Sequence, residues 1–545
     1  MSKIEKTIIK KAIQNRIRTK AELNALKRKI LKETHGAFPR DLDLLKTYRC
    51  LVRKHAICKN QRLENLLTTR SVRTLSGIAA ITVLTKPYPC PGKCVYCPDE
   101  PDMPKSYLKN EPAAHRAYLT DFDPALQVKT RLASLNLTGH NTEKIELIIL
   151  GGSFPSYPKV YQKWFVQKCF AALNQKKSKT LTLAQKKNET AKHRCIGLSI
   201  ETRPDQVNLQ NLKWWRTLGI TRVEIGVQTI FDPILKLCRR GHTVKDITRA
   251  TRLLKNWGFK AVYHIMPNLP GSTPAKDLLA AKTIFTDSRF QPDQIKIYPL
   301  VVLKTAPLFK IWQAEKFKPY ASQILIKLLI KIKKIIPPYI RLVRLVRDIP
   351  EQSIIAGNKM TNLRQILQNQ KAQCRCIRCR EAKNAEMEKI YFYKHQYPAS
   401  NGQEYYLSYE NKTKTKLYAH LRLRFPSPKS VFRDSAIIRE VHAFGLVAPI
   451  MPNTLRAIQH RGLGKNLMAK AEELAATAGY KKIMVISGVG AREYYRKLGY
   501  RIIQYGYMMK NLHFAPAKTK SRSSLRGATP KERRSNLIKQ QMFVI

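Results

Sequence analysis

Carboxylates are scarce in this chain. Asp and Glu total 37 against 101 Lys and Arg in 545 residues, which leaves a formal net charge of +64. That excess makes the molecule a strong field source for polyanions, nucleic acid first and an acidic membrane surface second. It disfavours basic, histone-like peptides as partners. Cysteine is scarce too, with 11 residues, and six of them fall in two tight clusters. An odd, uneven set suits metal ligation in a reducing cytosol better than a disulfide framework, so a cytoplasmic location is expected. A long uncharged apolar run is missing. The most apolar stretch, Ile324 to Ile340, carries Lys327, Lys331, Lys333 and Lys334 and runs into Pro337 and Pro338, so no bilayer span is expected. The opening MSKIEKTIIKKAIQNRIR has no h-region and does not read as a secretory signal, although its basic amphipathic pattern also fits a membrane-surface helix. Hydrophobic residues still make up 43% of the chain, which excludes wholesale disorder, and the length implies two to four domains.

Five regions follow from the patterning. Residues 1–75 are helical in period and crowded with Lys10, Lys11, Arg16, Arg18, Lys20, Lys27, Arg28, Lys29 and Lys32. With few interleaved carboxylates, they read as an RNA-facing surface rather than a merely solvated face. In 76–345, short Ile/Val-rich runs alternate with amphipathic stretches. Six strands are expected at Ile78–Thr85, Ile145–Leu150, Ile196–Glu201, Arg222–Gly226, Ala261–Met266 and Gln294–Pro299. That alternation means parallel βα units, as a partial six-fold barrel or an open doubly wound sheet, with the Lys-rich insert Gln175–Arg194 looping over the surface. Residues 346–390 form a cysteine-bearing linker, 391–513 a smaller α+β unit, and 514–545 a basic tail expected to be disordered.

Cys90, Cys94 and Cys97 stand in CPGKCVYCPDE, directly after the first expected strand. Three thiolates at this spacing fold around one four-iron cubane, with Gly92 allowing the tight turn, and leave one iron open to a substrate. The alternative, structural zinc, takes paired C-x2-C halves that this segment lacks. In βα architectures the chemistry gathers at the strands' carboxyl ends. There stand Gly151 and Gly152, Glu201 and Arg203, Glu224 and Gln228, Pro267, and Tyr298. Read alone, each has a bland explanation: a turn glycine, or an ion pair between Glu201 and Arg203.

This arrangement resembles the radical S-adenosylmethionine superfamily, in which the open iron of a [4Fe-4S] cluster chelates the methionyl group and an electron cleaves the sulfonium to a 5′-deoxyadenosyl radical. The resemblance implies that Gly151 and Gly152 approach the methionyl amine, that Glu201 and Arg203 bond the adenosyl or carboxylate groups, and that Gln228 lines the same site. It also implies an electron donor.

Further along, Gln459, Gly462, Leu463, Gly464 and Lys465 lie in QHRGLGKNLMAKAEELA, a Q-x-x-G-x-G turn running into an amphipathic helix. Such a turn closes backbone amides on a pyrophosphate at the positive helix end, although glycine motifs of this length also begin ordinary helices. With IIREVH before it and AREYYRKLGY after it, the order resembles the GNAT acetyltransferase fold, a binder of acetyl-coenzyme A.

The pairing of these two units, with CVYCP, GGSF, ETRPD, EIGVQT, HIMPNLPG, DQIKIYPL, QHRGLG, ISGVG and YYRKLGY, resembles the Elongator catalytic-subunit family in its stand-alone prokaryotic-type form. The likeness runs from about Lys86 to Met508. It implies an α/β enzyme in which a partial (β/α)6 radical domain precedes an α+β acetyltransferase-like domain and follows a basic helical region. It implies carboxymethylation of the wobble uridine in the anticodon stem-loop of tRNA. There the radical takes hydrogen from the acetyl methyl, the acetyl radical adds to carbon 5, and thioester hydrolysis leaves 5-carboxymethyluridine. By matching motif, Lys159 in SYPKVY becomes a coenzyme-contacting lysine, and Glu440, Val441, His442, Ala443, Leu463–Lys465 and Tyr495 become coenzyme-binding positions. Read alone, Lys159 is a solvated lysine and Tyr495 equally a core tyrosine.

Cys374, Cys376 and Cys379 form CRCIRC, three soft ligands that suit zinc with a fourth from elsewhere; the alternative is an arginine-rich RNA contact with incidental cysteines. Arg341, Arg344, Arg347 and the arginines of this cluster are candidate tRNA contacts. Two rival readings of the whole chain are a protein lysine acetyltransferase working through the GNAT unit and a non-catalytic RNA-binding scaffold.

Overall fold

In a computed structural model, residues 2–34, 38–68, 74, 76–370, 372–382, 388–444 and 462–512 are described. The basic first region folds on itself as four helices, α1 (Lys3–Gln14), α2 (Lys20–Thr34), α3 (Asp41–Arg53) and α4 (Gln61–Leu67), around Ile8, Leu23, Ile30, Leu44 and Leu63. Most of its cations face outward. Lys27 is the exception: it is buried, with Nζ on Asp41 Oδ1 at 2.7 Å and on the Pro39 carbonyl at 3.2 Å, so it belongs to the packing and not to the basic surface.

All six expected strands of the next region are present, as β1 (Ala79–Leu84), β2 (Lys144–Leu150), β3 (Arg194–Thr202), β4 (Arg222–Gln228), β5 (Lys260–Ile265) and β6 (Gln294–Ile297). They run parallel in sequence order. Between the two strands of a short antiparallel pair, β7 (Val301–Leu303) and β9 (Ile354–Gly357), lies the strand that the patterning misses: β8 (Arg341–Arg344) adds in parallel to β6 as a seventh. Its alternation is hidden because RLVR places arginines on the face that turns inward. In β2 the period of two is plain. Ile145, Leu147 and Ile149 are buried against the helices, while Glu146, Ile148 and Leu150 turn to the concave side. Each fully buried aliphatic side chain contributes about 1.5–3 kcal/mol. The helix Pro124–Leu137 shows how the connections begin: proline opens its first turn, and Asp123 Oδ1 accepts from the Leu126 amide at 2.6 Å.

The Lys-rich insert is not a loop. It contains the helix Leu181–Asn188, whose buried Asn188 accepts from the Cys195 amide at 2.7 Å and donates to the His193 carbonyl at 3.0 Å, pinning the start of β3. Leu181 and Ala184 carry that packing; Lys186 and Lys187 after them, and the lysines before the helix, mask its period.

A second sheet follows, ordered β10 (Tyr391–Ala399), β11 (Gly402–Glu410), β12 (Leu417–Phe425), β13 (Ser435–Ala443), β14 (Lys482–Val485), β16 (Met508–Asn511), β15 (Arg501–Ile502). All pairs are antiparallel except β13 with β14, which run parallel from Ser435 to Ile438 and then part. The helix Leu463–Thr477 covers one face of this sheet. The opposite face closes the amino-terminal end of the first sheet, and buried charges weld the joint. Arg439 bonds both oxygens of Asp293 and also Glu404, Arg424 Nη1 reaches Glu404 at 2.9 Å, and Lys255 stands 3.6 Å from each carboxylate. Arg492 and Arg496 reach Glu189 of the former "insert" at 3.1 and 2.7 Å. The apolar run Ile324–Ile340 forms the amphipathic helix Ser322–Ile335, with Leu325, Leu328, Leu329 and Ile332 buried. Among the described residues no helix is long and apolar enough to cross a membrane.

Candidate functional site

The two sheets enclose one cavity of about 980 Å³, lined at one end by Cys90, Cys94 and Cys97 and at the other by Glu440 and His442. Its walls are the inward positions of the parallel strands, and they are unusually charged. Glu146 pairs with Arg222. Glu224 is buried against Lys296, His264 at 2.8 Å and Arg222 at 3.4 Å. Burial opposes ionisation of Glu224, but these three partners outweigh it and hold the carboxyl well below its ordinary range. At the floor, Lys260 Nζ meets Glu440 Oε1 at 3.0 Å, and Arg422 Nε meets Glu440 Oε2 at 2.9 Å. Burial and the neighbouring His420 push the His442 imidazole down to about 4, and its Nε2 faces the Ser76 carbonyl at 3.1 Å. A neutral His442 therefore donates through Nε2 and keeps Nδ1 as a base.

At the carboxyl end, the cysteine loop is tied to the barrel through its backbone. The Val95 amide donates to the Cys238 carbonyl at 3.2 Å, and the Leu308 amide donates to the Val95 carbonyl at 2.7 Å. Cys94 is buried and Cys90 and Cys97 are partly exposed. Two arginines close on this loop. Arg240 Nη1 lies 3.1 Å from Cys94 Sγ, and Arg203 Nη1 is a buried donor without a hydrogen-bond partner. A side chain at Gly92 would overlap that same Arg203 nitrogen. Three thiols beside two cations and an orphan donor fit an anionic thiolate-ligated cluster with a carboxylate-bearing ligand at its side.

The sequence-predicted residues distribute unevenly. The cavity brings together Cys90, Cys94, Cys97, Gly152, Glu201, Arg203, Gln228, Glu440 and His442. Glu201 accepts from the Tyr107 hydroxyl at 2.6 Å, while Arg203 pairs with Asp205 at 3.0 Å, so an ion pair between Glu201 and Arg203 is not what holds them. Gly151 has a φ of +129°, and a Cβ there would overlap Thr85 Oγ1, so this position requires glycine on both counts. Gln228 also lies in the left-handed region, with a φ of +68° and a buried Oε1 without a partner. Backbone strain of this kind concentrates at ligand sites.

Lys159 begins the helix Lys159–Leu173, with Nζ 5.9 Å from the Trp214 ring. Gly462 stands at the N-cap of the helix Leu463–Thr477, and among the described residues nothing accepts from the Leu463, Gly464 and Lys465 amides, as an anion at this helix end would. Gln459 lies outside the described residues. Val441 and Ala443 pack on the opposite face of β13 from Glu440, within the second sheet's own core, and Tyr495 is buried in that core against Tyr494 and Tyr500. Tyr494, which the motif reading passed over, stands closer to the glycine turn, with its hydroxyl 3.3 Å from where a Cβ of Gly464 would lie. Also missed were Tyr107, Lys260, His420 and Arg240; only the inward alternation of the strands could have flagged Lys260.

The Sγ atoms of Cys374, Cys376 and Cys379 lie within 4.8 Å of one another, and among the described residues no fourth side-chain ligand joins them. The arginines proposed nearby as RNA contacts are largely engaged inside the protein. Arg341 pairs with Glu381, Arg347 with Glu111 at 2.7 Å, and buried Arg380 with Glu410 at 2.6 Å.

Fold and site together define a radical S-adenosylmethionine domain joined to a GNAT acetyltransferase domain. The sequence matches the radical SAM superfamily over residues 88–280, the radical SAM C-terminal domain over 292–373 and the acetyltransferase (GNAT) domain over 454–520. It is 43% identical to a tRNA uridine(34) acetyltransferase of Methanocaldococcus infernus over 82% of this chain and 88% of that one, and 35% identical to human Elongator complex protein 3 over 87% and 94%. The solved structure of the archaeal Methanocaldococcus infernus Elp3 with its N-terminus deleted superposes with a TM-score of 0.70 at 40% identity, covering 80% of this chain and 99% of that one. The chain belongs to this family of Elongator-type tRNA uridine(34) acetyltransferases.

Proposed function

We propose that the protein converts the wobble uridine of tRNA towards 5-carboxymethyluridine, using acetyl-coenzyme A as carbon donor and S-adenosylmethionine as radical source. One observation carries this reading: the cysteine loop and β13 of the acetyltransferase sheet face a single cavity. Glu440 lies opposite Arg422, and His442 opposite His420, on one face of β12–β13, and that face is turned into the cavity. In a GNAT fold the acetyl group emerges where the two parallel strands part, here beyond Ile438. On this reading the acceptor side opens onto the radical chamber. This geometry disfavours the lysine acetyltransferase reading, because a peptide lysine would have to enter through the barrel.

Cys90, Cys94 and Cys97 would hold a [4Fe-4S] cluster, which when bound supplies the electron that cleaves S-adenosylmethionine. Around it, Gly152 leaves room for backbone contact, Glu201 is held by Tyr107, and the unpartnered Arg203 Nη1 would donate to the methionyl carboxylate. The amides over Leu463–Lys465 bind the coenzyme's pyrophosphate, and Lys159 and Tyr495 contribute coenzyme contacts. His442, held neutral by burial and by His420, lines the cavity floor. Cys374, Cys376 and Cys379 hold zinc, with a fourth ligand from outside the cluster. Residues 1–75 supply electrostatic affinity for the anticodon stem-loop, whose uridine must leave its stack to reach the chamber.

The test is anaerobic incubation of the loaded, reduced enzyme with S-adenosylmethionine, acetyl-coenzyme A and tRNA. Carboxymethylated uridine that disappears in Cys94→Ala is expected. Acetylated lysine that survives this substitution, or bound but unaltered tRNA, would overturn the reading.

A further inference from the structure

Arg240 is 6% exposed and follows the short helix Asp232–Leu237. Its Nη1 donates to Cys94 Sγ at 3.1 Å, its Nη2 donates to the Gly226 carbonyl at 2.6 Å, and its Nε is buried without a partner. Among the described residues no carboxylate pairs with it, and its one side-chain hydrogen-bond partner there is the Cys94 sulfur. A buried guanidinium without a counter-charge is costly, so its partner must be the anion that the cysteines hold. The strand opposite is shaped for it: a Cβ on Gly226, in the middle of β4, would stand 2.6 Å from Arg240 Nη2. Glycine weakens a strand interior, and here it admits the guanidinium.

We propose that Arg240 is the counter-cation of the cysteine-held cluster and sets its reduction potential. The inference rests on the reading of Cys90, Cys94 and Cys97 as cluster ligands. A cluster with three thiolates is anionic, and reduction adds one further negative charge. A fixed cation on a ligand sulfur, in a site shielded from water, favours the more negative state. Arg240 thereby raises the potential and eases electron delivery before S-adenosylmethionine is cleaved. The planar fork matters as well as the charge, since one arm anchors on Gly226 and the other on Cys94.

The experiment loads full-length wild type, Arg240→Gln, Arg240→Lys and Gly226→Ala anaerobically with iron and sulfide. Iron content is measured, and the reduced cluster is titrated against potential by electron paramagnetic resonance. Arg240→Gln should shift the one-electron reduction equilibrium at least tenfold toward the oxidised form, a fall of about 59 mV or more. Arg240→Lys should fall less. Gly226→Ala should also fall, because it displaces the guanidinium while leaving the charge in the chain. An Arg240→Gln protein loaded to the wild-type level with an unmoved potential overturns the proposal. Where Arg240→Gln takes up no iron, unmoved potentials in both other variants overturn it equally. A wild type that forms no four-iron cluster defeats the ligand reading itself, which a loaded cluster of unchanged potential does not.

Discussion

Lys260 Nζ on β5 and Glu440 Oε1 on β13 meet at 3.0 Å where the floor of the radical domain touches the acetyltransferase sheet. Neither residue belongs to a recognisable motif pair, and 180 positions separate them. Their contact marks the point at which two separately folded sheets acquire one cavity.

Glu440→Gln removes the counter-charge of Lys260 and Arg422 together. It should lower carboxymethyluridine formation about tenfold or more, equivalent to at least 1.4 kcal/mol of barrier. It should also destabilise the fold, because a broken buried pair leaves a charge unpaired. The double variant Lys260→Met/Glu440→Gln should recover part of the stability but not the activity. Recovery of both in the cycle would reduce Glu440 to a structural role.

Asp293→Asn should cost about 3–5 kcal/mol, since Arg439, Lys255 and Arg422 then share only Glu404 and Glu440 as buried anions. Denaturant unfolding should show both domains losing stability together. A loss confined to one of them would mean that the charge cluster does not couple the sheets.

The pH dependence of stability should carry the signature of His442. The residues facing it are Ser76 through its carbonyl, His420, Glu440, Arg341 and Phe444. Its folded value of about 4 lies below the ordinary 6.5, so between these pH values the unfolded chain binds the proton and the folded one does not. Stability should therefore fall as pH drops from about 6.5 to about 4 and be unaffected by this group above 6.5. His442→Gln should flatten that part of the difference profile; identical profiles would exclude the effect.

Gly151→Ala should destabilise more than Gly152→Ala. Both substitutions incur the left-handed backbone cost of about 1–2 kcal/mol, but only at Gly151 does a Cβ overlap Thr85 Oγ1, whereas at Gly152 the nearest atom is 3.5 Å away. Thr85→Ala should relieve part of the Gly151→Ala loss. Equal midpoints for the two single variants would count against this packing argument.

Much of the chain was readable because its signals are local. CPGKCVYCP places three soft ligands within eight residues, and no tertiary context is needed to see what they suit. Alternation made the buried strands of the first sheet legible, since one face must avoid water. The same logic failed at β8, where Arg341 and Arg344 turn toward a cavity that accepts charge, and at Leu181–Asn188, whose surface lysines hide a helix that pins β3.

Chain order, the cysteine loop, the glycine motif at Gly462 and the two-part architecture were determined by the sequence itself, through periodicity and residue spacing that act over a few residues. Only the tertiary structure decided that the Glu440 face of the second sheet closes the cavity lined by the cysteine loop, that Lys260 meets Glu440, and that Arg240 reaches Cys94. Those arrangements depend on buried charges finding partners up to hundreds of residues away. In a low-dielectric interior an unpaired charge is too costly to leave, and the pairing is fixed by packing that no local pattern records.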